Sequence, residues 1–232
     1  MSRRTIYFPH GFLIFALLLI VLLVAVALIF VGAVTVAFSD VGFTPFTILL
    51  LLVVTFIGST INIPVLRLKT TGPMIKEEYV TSFGMTYRIP HVEYGTTTTL
   101  VAVNVGGALI PTAVSAYLLL RATSQTVFLS LVGVLAVAVV THLVARPVKG
   151  VGIVSPALLP PVAAAVAALI LAPDHPQTVA YVSGVLGTLI GADLSNLQVI
   201  KRLGAPVASI GGAGTFDGIF LAGILAVLIA GL

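Results

Sequence analysis

Between Gly11 and Phe38 the chain carries no charged side chain. A helix through that stretch is apolar on every face, and only lipid or a very large core accepts such a surface. The run is too long for a signal-peptide core of about 7–15 residues and lacks a cleavage pattern. It reads as a retained first membrane helix.

The rest of the sequence repeats the signal. Of 232 residues 59% are hydrophobic and 8% charged, against about 25% charged in ordinary soluble domains. Apolar segments follow at Phe12–Phe38, Thr44–Asn62, Leu100–Leu120, Val127–Ala145, Pro156–Ala172, Thr178–Leu194 and Phe216–Leu232. Each is near the roughly 20 residues that a 30 Å hydrocarbon layer requires. The expectation is an all-α integral membrane protein of about seven spans, forming one polytopic domain over residues 1–232.

Basic residues orient it. With the N-terminus in the cytoplasm, Arg3, Arg4, Arg67, Lys69, Lys76, Arg88, Arg146, Lys149, Lys201 and Arg202 all fall inside, and Arg121 alone falls outside. The C-terminus is then external and the location a cell membrane. The same distribution accounts for the net charge of +4 through anionic lipid, without nucleic acid.

The long cytoplasmic loop, residues 64–99, has strand character. Tyr79, Thr81, Phe83, Met85, Tyr87 and Ile89 alternate, the period of a β-strand, with a hairpin bend near Gly84. Two roles suit it: a folded cover over helix ends, or an edge that pairs with an extended peptide.

Helix breakers cluster in "NVGGALIP" (104–111), "RPVKGVGIVSPALLPP" (146–161) and "GGAGTFDG" (211–218). Val105-Gly106-Gly107-Ala108 and Ile210-Gly211-Gly212-Ala213 echo one another, a pattern that interrupted transporter repeats also show.

Polar groups at membrane depth are expensive, so each is a candidate for function. Asp193 lies near the inner end of span six and Asp217 at the inner end of span seven. A short connection makes these spans antiparallel neighbours, with both carboxylates at similar depth. Such a pair shares a proton, letting one carboxylate activate water while its partner polarises a carbonyl. It also suits binding of a proton or sodium ion in a transporter or channel, and a non-catalytic membrane scaffold is the further alternative. A structural alternative makes Asp217 a first-turn residue capped by Thr215, and pairs Asp193 with Lys201 or Arg202.

Gly191, Gly211, Gly212, Gly214 and Gly218 surround the two aspartates. They allow close helix packing or backbone access for a substrate or ion. Asn104, beside Gly106 and Gly107, either satisfies broken backbone or contacts a ligand. His142 and Arg146 share a helical face, with Arg146 an interfacial anchor or a substrate clamp. Asp174-His175 reads as a solvated outer turn. With no cysteine, thiolate metal sites are excluded. The histidines show no metal-ligand spacing, and no phosphate loop or nucleophile elbow is present. No cofactor is expected. The expected partners are membrane lipid and either a membrane peptide or a cation.

At "GTLIGADLSNL" and "SIGGAGTFDGIF" the chain resembles the prokaryotic membrane-protein family called domain of unknown function 1614. The likeness extends back through "NVGGALIP" and "RPVKGVGI". It implies membership without a mechanism. More loosely, the two-aspartate arrangement is similar to the intramembrane aspartyl proteases of the presenilin, signal-peptide-peptidase and prepilin-peptidase group. Those enzymes carry catalytic aspartates on adjacent helices, one in Gly-x-Gly-Asp, and some carry Pro-Ala-Leu. Here Asp193 follows Ala192, Asp217 follows Phe216, and Pro156-Ala157-Leu158 precedes both. The resemblance therefore implies a chemistry, membrane peptide hydrolysis by Asp193 and Asp217, with Pro156 as support.

Overall fold

The computed structural model describes residues 10–82, 85–148, 152–200, 207–212 and 218–232. It is mostly helical. The helices are α1 (His10–Asp40), α2 (Pro45–Gly58), α3 (Ile110–Arg121), α4 (Ser124–Val144), α5 (Leu159–Leu171), α6 (Pro176–Thr188), the single turn α7 (Leu197–Ile200) and α8 (Gly218–Ala230). Among the described residues three stretches are long and apolar enough to cross a membrane: Gly11–Asp40, Ser124–Val144 and Pro176–Ile200, the last running through α6 into α7. Pro45–Gly58, Val105–Arg121, Leu159–Leu171 and Gly218–Ala230 are apolar but shorter.

Local chemistry sets the ends. α1 stops in a Schellman turn: Gly42, at φ +91°, lets Phe43 N–H reach Phe38 C=O at 3.0 Å and its own N–H reach Ser39 C=O at 2.9 Å. α2 opens with Thr44 as N-cap and proline in the first turn, and α4 opens with Thr123 accepting Thr126 N–H at 3.2 Å.

The core is built around α6. Ser183, Gly187 and Gly191 recur every fourth residue and so lie on one face. They meet α4, where a Cβ on Gly187 would stand 2.6 Å from Val137 Cβ. The opposite face meets α8: a Cβ on Gly184 would lie 2.8 Å from Ala222 C=O, and one on Gly223 would lie 2.5 Å from Val185. Without a hydrophobic drive inside lipid, backbone proximity of this kind holds helices together. Tyr181, Phe38 and Phe220 fill the space where α1 joins α6 and α8. Most of α1 is exposed on its apolar faces; Phe30 packs partly buried on the core, and Val34, Ala37 and Phe38 are buried.

Two strands leave the bundle. β1 (Asn62–Ser82) and β2 (Met85–Asn104) pair antiparallel from Asn62↔Asn104 to Ser82↔Met85. At about 3.3 Å per residue this ribbon is about 65 Å long. Proline is tolerated because each strand keeps a free edge over most of the length; Pro64 also borders a register shift before Leu66. At the base a third strand, β5 (Val207–Ile210), runs parallel to β2 with Leu100↔Val207 through Val103↔Ile210, giving the order β1-β2-β5. β3 (Arg146–Val148) and β4 (Gly152–Val154) form a separate short hairpin.

The third apolar segment therefore needs correcting. Residues 100–104 extend β2, buried at Val101 and Ala102, and only then does a helix begin. The alternating Val101 and Val103 suit a strand as well as an apolar span. The strands also overrun the expected loop of 64–99 at both ends.

Candidate functional site

At the hairpin end, two interrupted helices and the base of the sheet converge. The first interruption is a π-helical turn, Val105–Leu109, that joins β2 to α3. Asn104 caps it and is wholly buried. Its Oδ1 accepts Gly107 N–H at 2.7 Å, and its Nδ2 donates to Ser59 C=O at 2.7 Å and to Asn62 Oδ1 at 3.2 Å. Those bonds fix which way the amide points. Asn62 Oδ1 also accepts from Ser209 Oγ at 2.6 Å, so one chain of bonds ties α2, β1, β2 and β5 together. Gly106 lies directly against α2: a Cβ there would stand 2.1 Å from Thr55 C=O.

The second interruption follows α6. Leu189–Asp193 is another π-helical turn, continued by a tight 3₁₀ turn over Leu194–Asn196. Breaking the helix leaves carbonyls in need of donors. Asn196 Nδ2 supplies Ala192 C=O at 2.8 Å and Gly191 C=O at 3.2 Å, and Ser195 Oγ supplies Gly191 C=O at 2.6 Å. Since that hydroxyl's proton goes to Gly191, His142 Nδ1 donates to Ser195 Oγ across 2.9 Å.

Asp193 closes this turn, half-buried, and its Oδ2 accepts Gly211 N–H at 3.2 Å. Gly211 and Gly212 sit at φ +81° and +85°, a left-handed backbone that other residues enter only at a cost. A Cβ on Gly211 would stand 2.5 Å from Ala108 Cβ and 2.6 Å from Ala108 N. The two echoed Gly-Gly segments are thus packed against each other, and the second turns an N–H onto the carboxylate. π-Turns of this kind are rare and concentrate where function does.

The sequence profile described as "Protein of unknown function (DUF1614)" matches residues 56–229. The chain belongs to this family. In this DUF1614 protein the match takes in the hairpin, both π-turns and Asp193, and leaves out α1 and most of α2. No curated protein and no solved structure matches the chain.

Asn104, Gly106, Gly107, Asp193, Gly211 and Gly212 of the DUF1614 chain come together as one cluster. Gly191 instead packs on α4, where a Cβ would meet Ala138 C=O at 2.4 Å. His142 engages the turn after Asp193. Arg146 and Pro156 line a separate groove of about 460 Å³ with Leu143, Val148 and Val154. Gly218 opens α8, and a Cβ on it would meet none of the described residues within 4 Å. Gly214, Thr215 and Asp217 lie outside the described residues, as do Lys201 and Arg202. Ser59, Asn62, Ser195, Asn196 and Ser209 join the site without having been singled out by sequence. For Asn62 and Asn196 a signal existed, an amide at the end of an apolar segment; Ser209 had none.

Proposed function

We propose that this protein crosses the membrane seven times, with the hairpin end cytoplasmic, and acts as an intramembrane di-aspartyl hydrolase on a membrane peptide. The helices α2, α5 and α8, at 13–14 residues, rise only about 20 Å, less than the roughly 30 Å hydrocarbon layer. Non-helical backbone at membrane depth is tolerated where protein buries it, and Val101, Ala102 and Ile210 at the sheet base are buried. Arg67, Lys69, Arg88 and Arg146 on the strands at this end suit the cytoplasmic face.

The observation that carries the hydrolase reading is the Asp193 carboxylate held by Gly211 N–H at the end of α6. α8 packs antiparallel on α6, and Asp217 directly precedes it in the chain. In this mechanism Asp193 takes a proton from water as the oxygen attacks the scissile carbonyl. Asp217, protonated, hydrogen-bonds the carbonyl oxygen. The tetrahedral adduct collapses as its C–N bond breaks and the leaving amine takes the proton from Asp193, which returns to the carboxylate. An extended substrate can lie along the free edge of β1. In proteoliposomes, Asp193→Asn and Asp217→Asn are each expected to abolish cleavage of a membrane peptide while circular dichroism stays unchanged. Turnover that survives both substitutions excludes the assignment.

A second reading, a proton- or sodium-coupled transporter, is favoured by one feature: the π-turn that opens α3 and the π-turn that ends α6 in a carboxylate are both engaged by Gly211. It requires uptake into liposomes that depends on pH or sodium and is lost in Asp193→Asn. The hydrolase reading is preferred because α4, α6 and α8 close beneath Asp193 with no room even for a Cβ at Gly187, Gly184 or Gly223.

A further inference from the structure

At the end of the bundle opposite the hairpin, two cavities share one cation. Between α2 and α3 runs a groove of about 570 Å³, lined largely by Phe43, Leu50, Leu51, Val54, Ile110 and Val114, and ending at Arg121. Beyond Arg121 lies a second cavity of about 450 Å³, whose wall includes Thr123, Thr126, His175 and Thr178. Gly42, Tyr117 and Arg121 belong to both. The arrangement is apolar on one side of the guanidinium and rich in hydroxyls on the other.

Arg121 is the only lysine or arginine between Arg88 and Arg146. Its guanidinium donates to Tyr117 Oη at 2.6 Å and lies 5.6 Å from the centre of the Tyr117 ring. Among the described residues no carboxylate pairs with it. Asp40 and Asp174 stand at this end of the bundle, and neither lines either cavity. The guanidinium is thus aimed by a tyrosine and left with positive charge to neutralise, at the junction of an oily groove and a polar one.

We infer that this is a binding site for a lipid with an anionic phosphate headgroup, one acyl chain lying between α2 and α3 and the phosphate on Arg121. The dimensions agree. From Thr44 to Val54 α2 rises about 15 Å, half of the roughly 30 Å hydrocarbon layer, so the groove has the depth of one leaflet. An arginine is the natural partner, because its planar fork meets phosphate oxygens in pairs. Thr123, Thr126 and Thr178 line the space the headgroup enters, and the Thr123 and Thr126 hydroxyls bond each other at 3.0 Å in the N-cap of α4. This site lies away from Asp193 and does not depend on the hydrolase reading.

The test is lipid binding by the full chain in detergent, followed by native mass spectrometry. Phosphatidylglycerol is expected to bind about tenfold more tightly than diacylglycerol with the same chains, as hydrogen bonds to charged groups suggest. Arg121→Gln is expected to erase that preference and leave diacylglycerol binding unchanged. Ala113→Trp, which fills the groove, is expected to weaken both lipids about equally. Equal binding of the two lipids by the wild-type protein overturns the proposal, as does a preference that survives Arg121→Gln. Competition by glycerol 3-phosphate as strong as by the intact lipid also overturns it, by making the site one for soluble phosphate. The wild-type comparison decides even where a variant loses stability.

Discussion

The double glycines Gly106-Gly107 and Gly211-Gly212 look alike in sequence and touch in space, yet they serve opposite needs. Gly106 lies in a helical turn of ordinary handedness, where a side chain is excluded by the α2 backbone at 2.1 Å. Gly211 is in a left-handed turn and directs its N–H to the Asp193 carboxylate. One pair makes room and the other presents a donor. The polar residues beside them differ in the same way. Asn104 is neutral, buried and bonded on both sides of its amide. Asp193 is an acid and only half-buried. The echo in sequence is thus a contact in space between unlike backbone conformations, a π-turn and a left-handed turn after β5.

The comparison breaks most sharply at the glycines themselves. Gly211→Ala meets two penalties, a left-handed backbone worth about 1–2 kcal/mol and overlap with Ala108 worth about 1–3 kcal/mol. It should be the most destabilising single change at the site, about 4 kcal/mol by unfolding in detergent. Gly106→Ala meets only overlap, but against main chain, and about 3 kcal/mol is expected. A near-neutral Gly106→Ala would show that α2 does not press on the π-turn.

Exchanging the two polar groups comes next. Asn104→Asp keeps an acceptor for Gly107 N–H but sets a carboxylate against the Ser59 carbonyl in a buried place. A loss of about 3 kcal/mol is expected, with unfolding as the readout. Asp193→Asn keeps an oxygen for Gly211 N–H and should cost under about 1 kcal/mol, while peptide cleavage is lost. Were Asp193→Asn to unfold the protein instead, the carboxylate would be a structural cap, and the contrast with Asn104 would disappear.

What the sequence could show was local. An apolar run is legible at once, so the helical, membrane-type character followed from composition, and Asn104 and Asp193 stood out as polar groups among apolar neighbours. The extent of each helix was not legible, because "LVAV" at 100–103 is buried in a sheet and an apolar stretch has the same appearance in a buried strand and in a span. Of the alternating residues, Tyr79, Thr81, Met85, Tyr87 and Ile89 lie within the paired strands and Phe83 lies outside the described residues, but the length of that pairing is a property of two segments together. Partners distant in sequence were invisible for the same reason. His142 and Ser195 are 53 positions apart, and Ser209 and Asn62 are 147 apart. Nothing in either member of such a pair names the other.

The smallest expected effect sharpens the comparison most. Gly218 is unlike Gly106, Gly191 and Gly211, since a Cβ on it at the start of α8 would meet none of the described residues within 4 Å. On packing grounds alone Gly218→Ala should be neutral or stabilising by about 0.5 kcal/mol, because alanine is the better helix former. If cleavage or flux also continues, every glycine at this end is explained by backbone geometry. If activity falls while unfolding is unchanged, the space above Gly218 is space a substrate needs. The glycines then divide into those that pack the site and one that opens it, and that division is independent of whether Asp193 acts on water or on an ion.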